Sequence, residues 1–166
     1  MSNILRKSDG LERNLPVFTC GGYRLAVDVE RTRAWYAAQS LPGVTCTCAG
    51  CRNFVRAVKL LPDEVKEFFA QLGVDPEQPA ETSWFPGTRE KANGDGWYHI
   101  CGEILEMVRP DENQIYGEAL RVSGEFNAMF GPECWLLPED FPKPCFQMDV
   151  VFQLPWVLEE ENPDLL

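Results

Sequence analysis

The sequence predicts an α+β fold, with N-terminal helices, including a helical hairpin, packed on an antiparallel β-sheet. Two patterns carry that prediction. Apolar residues recur at helical spacing between residues 28 and 72, and from residue 82 onward the period changes to two. A length of 166 residues, 45% hydrophobic and 11% aromatic, suits one folded domain with a proper core. We read residues 1–14 as a loosely held N-terminus, 15–158 as the domain and 159–166 as an acidic tail.

Residues 15–18 and 23–27 read as strands around the turn signal Cys20-Gly21-Gly22. Residues 28–40 read as a helix, with Asp28 placed to cap it. Residues 52–60 put Phe54, Val55 and Val58 on one face, and Pro62-Asp63-Glu64 then opens a second helix carrying Val65, Phe68, Phe69 and Leu72. Gly73 is its expected left-handed terminus. Strands follow at 82–85, 97–107, 115–122, 125–130 and 145–154, with Asn93-Gly94-Asp95-Gly96 marking a turn and 134–137 a short extended piece. The last strand alternates, with Phe146, Met148, Val150, Phe152 and Leu154 inward and Gln147, Asp149 and Gln153 outward.

The chemistry concentrates in Cys46-Thr47-Cys48-Ala49-Gly50-Cys51, a C-x-C-x-x-C pattern at the start of a helix. Cys48 and Cys51 have the spacing of a metal knuckle, in which two thiolates bind one ion and glycine lets the backbone turn. Cys46 supplies a third sulfur, and zinc is the preferred ion because it favours tetrahedral thiolate sites and needs no redox partner. The fourth ligand is sought in His99, Cys20 or Cys101, with His99, the sole histidine, taken first. Cys134 and Cys145 read as core cysteines. The bland reading of the cluster is three reduced thiols beside a helix N-terminus, whose dipole would activate Cys51. A redox protein or enzyme using Cys48, Cys51 and His99 is the alternative. Its weakness is that a lone histidine among Trp97, Tyr98 and Ile100 is more often a satisfied core residue.

Charge narrows the partners. The net charge is −11, and it is uneven: residues 1–91 carry 12 Lys and Arg against 11 Asp and Glu, whereas 92–166 carry 3 against 15. Direct binding to nucleic-acid phosphates is disfavoured, and a basic protein partner fits better. No P-loop, dinucleotide fingerprint or nucleophile elbow is present. With neither a long apolar run nor a leader-like start, the expectation is a cytoplasmic protein with reduced or metal-bound thiols and no membrane association.

The segment Cys46 to Phe54, the following Leu61-Pro62-Asp63-Glu64-Val65, Trp97-Tyr98-His99, and Pro138-Glu139-Asp140-Phe141-Pro142-Lys143-Pro144 with Leu154-Pro155-Trp156 resemble a small uncharacterised bacterial family whose members occur in genomes rich in mobile elements. The resemblance covers most of the chain from about residue 44. It implies a single domain and a shared C-x-C-x-x-C plus histidine site, and it brings no activity with it. Together these features point to a non-enzymatic binding protein with a structural zinc or thiol cluster. An accessory or inhibitor of a mobile element, presenting carboxylates where a basic groove expects phosphates, is the sharper form of that expectation.

Overall fold

The computed structural model describes residues 5–9 and 15–165. Among these, eight strands and three α-helices are found: β1 (Arg6–Asp9), β2 (Pro16–Cys20), β3 (Tyr23–Val27), α1 (Val29–Ala37), α2 (Ala49–Ala57), α3 (Asp63–Leu72), β4 (Glu81–Phe85), β5 (Lys91–Met107), β6 (Leu120–Ser123), β7 (Phe126–Gly131) and β8 (Cys145–Pro155). The fold is α+β. One antiparallel sheet runs β1-β2-β3-β5-β8-β7-β6, and β4 pairs with β5 off that path. Part of the N-terminal stretch expected to be loose is thus an edge strand, while residues 1–4 and 10–14 lie outside the described residues.

The 17-residue strand β5 is the spine of the sheet. It contains the Asn93-Gly94-Asp95-Gly96 segment expected to be a turn. The glycines serve close packing instead. A Cβ on Gly94 would sit 2.7 Å from the Ser83 carbonyl oxygen and 2.8 Å from the Trp84 ring, and one on Gly96 would sit 2.8 Å from the Glu81 carbonyl. Turn chemistry and close approach use the same residue type, and here the second applies.

Along β5, even-numbered positions from Ala92 to Ile100 are buried beneath the helical hairpin. Phe54 of α2 meets Phe152, while Phe69 of α3 meets Tyr98 and Phe126. Phe146, Met148, Val150, Phe152 and Leu154 of β8 all point to this side, as the alternation predicts. Each fully buried side chain of this size contributes about 1.5–3 kcal/mol. The hairpin itself follows the sequence closely: a 3-10 turn at Val58–Leu60 links the helices, Gly73 is left-handed at φ 76°, and the Val74 N–H closes on the Phe69 carbonyl at 3.0 Å.

Helix α1 performs a different task. On the free edge of β5, between the stretches paired to β4 and β3, it supplies hydrogen-bonding groups in place of a strand. The Tyr36 hydroxyl donates to the His99 carbonyl at 2.8 Å and accepts the His99 N–H at 3.1 Å. Thr32 Oγ1 accepts the Cys101 N–H at 3.0 Å, and the Asp28 N–H reaches the Cys101 carbonyl at 2.8 Å. Both hydroxyl-bearing residues are buried, so the edge is dry and fully paired.

Three further expectations are corrected. Residues 115–119 are irregular, and only Leu120–Ser123 is strand. Residues 134–137 form no strand; Leu136 sits at φ 54°, incompatible with extended backbone. Gln147, expected outward, is 1% exposed because the 134–144 segment covers it and Trp135 N–H donates to its Oε1 at 2.7 Å. The acidic tail is also anchored. Its glutamates are exposed, but Asn162 is buried and donates to the Thr88 carbonyl at 3.0 Å, and Glu160 pairs with Arg52. No helix among the described residues is long and apolar enough to cross a membrane.

Tyr36→Phe tests the edge closure. It leaves a buried N–H and a buried carbonyl of His99 without partners, and urea denaturation should show a loss of about 2–3 kcal/mol. A loss below about 0.5 kcal/mol would mean that water or a backbone shift replaces the hydroxyl.

Candidate metal centre

Helix α2 begins at the cysteine motif, three residues earlier than the apolar spacing suggests, because Cys48 is its N-cap. The Cys48 backbone is extended at φ −63° and ψ 158°, and its sulfur accepts the Cys51 N–H at 3.4 Å, the role a serine or aspartate oxygen usually takes. Cys51 is the third helical residue, and Cys46 lies on the incoming loop. The ligand atoms of Cys46, Cys48 and Cys51 all lie within 4.8 Å of one another. Around a tetrahedral zinc with Zn–S near 2.3 Å, sulfurs stand about 3.8 Å apart, so the trio needs only a small contraction to close on an ion.

The sheet fixes the innermost sulfur. Trp84 Nε1 donates to Cys51 Sγ at 3.4 Å, and Thr82 Oγ1 lies 3.6 Å from it. Trp84 reaches this position because glycine clears both sides of its ring: Gly94 beneath it on β5, and Gly50 of α2, where a Cβ would meet the ring at 2.5 Å. On the far side of the motif, Asn53 is fully buried and locks α2 to the end of β8. It donates to the Pro155 carbonyl at 3.0 Å and accepts the Val157 N–H at 2.8 Å.

Protonation is divided unevenly among the three thiols. Cys46 is fully exposed to solvent and is held below the ordinary thiol range, first by the Cys48 N–H and then by hydrogen bonds from the Cys48 and Cys51 side chains. Cys51 is pushed up to about 11 by burial, against the pull of its Trp84 and Thr82 donors. In the metal-free site Cys46 therefore ionises more readily than Cys51. The helix dipole favours the resulting negative charge. A cavity of about 450 Å³ opens beside Cys46, between Arg52 and Arg56, with Val44, Val55 and Leu158 on its walls.

Compared with protein-family models, curated proteins and solved structures, the chain matches none of them. The geometry must therefore speak for the site by itself.

That geometry separates His99 from the cysteines. Thr82 and Trp84 pair with Gly96 and Gly94, so the even face of β5 is the one that meets Cys51. His99 is odd and faces the opposite side of the sheet. There its Nε2–H donates to the Trp135 carbonyl at 2.9 Å, since a carbonyl can only accept. Burial lowers its pKa and keeps the ring neutral. His99 is thus the satisfied core histidine of the bland reading. Cys101 shares its parity and pairs in register with Cys145. Cys20 is buried at the end of β2, with its thiol pushed up to about 12 by desolvation. Among the described residues, none of the three candidates joins the trio as a fourth ligand. The Cys48, Cys51 and His99 combination of the alternative reading is not assembled either.

Trp84, Thr82 and Asn53 are the supporting residues that the sequence reading missed. Asn53 carried a usable signal: it shares the helix face of Gly50 and Ala57, where a polar residue needs partners. Trp84 carried none, because its contact to Cys51 crosses from another element.

Alkylation of metal-free, folded protein across pH tests the proton distribution. Cys46 should react at a pH below that of an ordinary thiol, and Cys51 only at a higher pH than Cys46. Equal rates at Cys46 and Cys51 would contradict the asymmetry.

Proposed function

We propose that this chain is a non-enzymatic binding protein that holds one thiophilic metal ion, zinc first, on Cys46, Cys48 and Cys51. The observation that carries the reading is the approach of three sulfurs to within 4.8 Å at a helix N-terminus. Hydrogen bonds hold the Cys46 thiol below its ordinary range, and Trp84 and Thr82 lie against the Cys51 sulfur. The ion would pin the incoming loop to α2 and so contribute to folding. With three protein sulfurs grouped, the fourth coordination position falls to water or an outside donor, and the cavity between Arg52 and Arg56 offers a route to it.

The acidic C-terminal half, with 15 Asp and Glu against 3 Lys and Arg, supports a basic protein partner rather than nucleic acid. A cytoplasmic setting, where thiols stay reduced, suits the metal site. The motif resemblance supports service as an accessory or inhibitor encoded with mobile elements. Association with such a partner would weaken steeply with salt.

Elemental mass spectrometry on tag-free protein tests the metal, together with cobalt(II) substitution. The expected result is one zinc per chain, a thiolate-to-cobalt charge-transfer band, and release of protons on binding. Cys48→Ser should lower metal affinity by at least about tenfold, as expected for loss of a ligand. Metal-free protein that neither takes up zinc nor develops the cobalt band would overturn the proposal.

A further inference from the structure

A second pair of thiols meets on the opposite face of the sheet from Cys51. Cys134 precedes the Trp135–Leu136 turn and Cys145 opens β8, eleven residues later, yet their sulfurs stand 3.8 Å apart. This is van der Waals contact, and both residues are only half-buried. The segment between them is held at both ends without the sulfurs: near Cys145 the Pro144 carbonyl accepts the Gly102 N–H at 2.9 Å, and near Cys134 the anchor is Trp135. The Trp135 N–H donates to Gln147 Oε1, and the Trp135 carbonyl accepts from both His99 Nε2 and Trp97 Nε1. The native fold thus places the two sulfurs together before any bond forms, and little loop entropy remains to be lost.

We propose that Cys134 and Cys145 are a disulfide-forming pair that reacts with low-molecular-weight disulfides such as oxidised glutathione. The thiolate of one cysteine attacks a sulfur of the small disulfide, forming a mixed disulfide and releasing one small thiolate, which takes up a proton. The second cysteine, once deprotonated, attacks the protein sulfur of that mixed disulfide. The intramolecular bond forms and the second small thiol leaves. The protein loses two electrons and two protons, and the small disulfide gains them as two thiols.

Cys101 is the rival partner, since it lies opposite Cys145 in the register. It is 1% exposed, which denies a small disulfide access to it. The Cys46, Cys48 and Cys51 trio lies beyond the sheet and is not in contact with this pair. The pair is therefore independent of the metal reading, and both zinc-treated and metal-free protein should show it.

The experiment incubates full-length protein in an oxidising glutathione buffer, quenches with an alkylating agent, and maps the peptides by mass spectrometry. The expected result is a Cys134–Cys145 linked peptide, two hydrogens lighter, with both residues lost to alkylation and Cys101 labelled only after unfolding. Cys134→Ser should abolish the linked peptide and leave Cys145 as a mixed disulfide, whereas Cys101→Ser should retain the link. Free Cys134 and Cys145 in the wild-type chain, or a Cys101–Cys145 link instead, would overturn the proposal.

Discussion

The alternation of side chains along β5 is the constraint on which the rest of the molecule depends. Because successive residues point to opposite faces, one strand can bury Tyr98 and Ile100 under the helical hairpin and His99 and Cys101 under a different cover. A slip of one residue would exchange these sets, placing His99 among phenylalanines and Ile100 against Gln147. The glycines at 94 and 96 sharpen that specification. Gly94 admits Trp84 on the face where Cys51 waits, and Gly96 lets the Glu81 carbonyl approach, so register and cysteine geometry are fixed together.

The edge of β5 shows a second economy. Between β4 and β3 the strand has no neighbour, and exposed ladder groups there would invite another chain. Helix α1 covers the gap with Thr32 and Tyr36 hydroxyls and the Asp28 N–H. A hydroxyl can donate and accept at once, so one tyrosine satisfies both backbone groups of His99. This explains why Thr32 and Tyr36 are buried on a helix whose remaining faces are largely exposed.

Local patterns were legible in the sequence, and long-range ones were not. The hairpin at Pro62, the Gly73 terminus, the Asp28 cap and the inward face of β8 each follow from residues within a few positions of one another, and each is present. The Cys46, Cys48 and Cys51 grouping is local in the same way. What failed was anything decided by a distant neighbour. Gly94 and Gly96 read as a turn because nothing nearby reveals that β4 will press Trp84 and the Glu81 carbonyl against them. Gln147 read as solvent-facing because the covering segment is not a strand and leaves no periodic trace. His99 was enlisted as a ligand from its residue type and the motif resemblance, and its parity relative to Thr82 became visible only once β4 and β5 were paired.

The two sulfur sets make opposing chemical demands, and the sheet is what lets one chain hold both. A metal trio needs its thiols reduced and grouped about a single point, with donors that favour thiolate. The three sulfurs lie within 4.8 Å of one another, and Trp84 donates to Cys51, partly offsetting the burial that pushes its thiol up to about 11. The Cys134 and Cys145 contact offers two sulfurs, and among the described residues no third ligand group converges on them. Two sulfurs in contact are instead suited to a bond with each other, because a slow first attack is followed by a second with no distance left to cover. Were both sets on one face, a five-sulfur cluster could exchange partners, and oxidation at one site would strip ligands from the other. Opposite parity on β5 and β8 prevents that exchange by placing the core of the sheet between them.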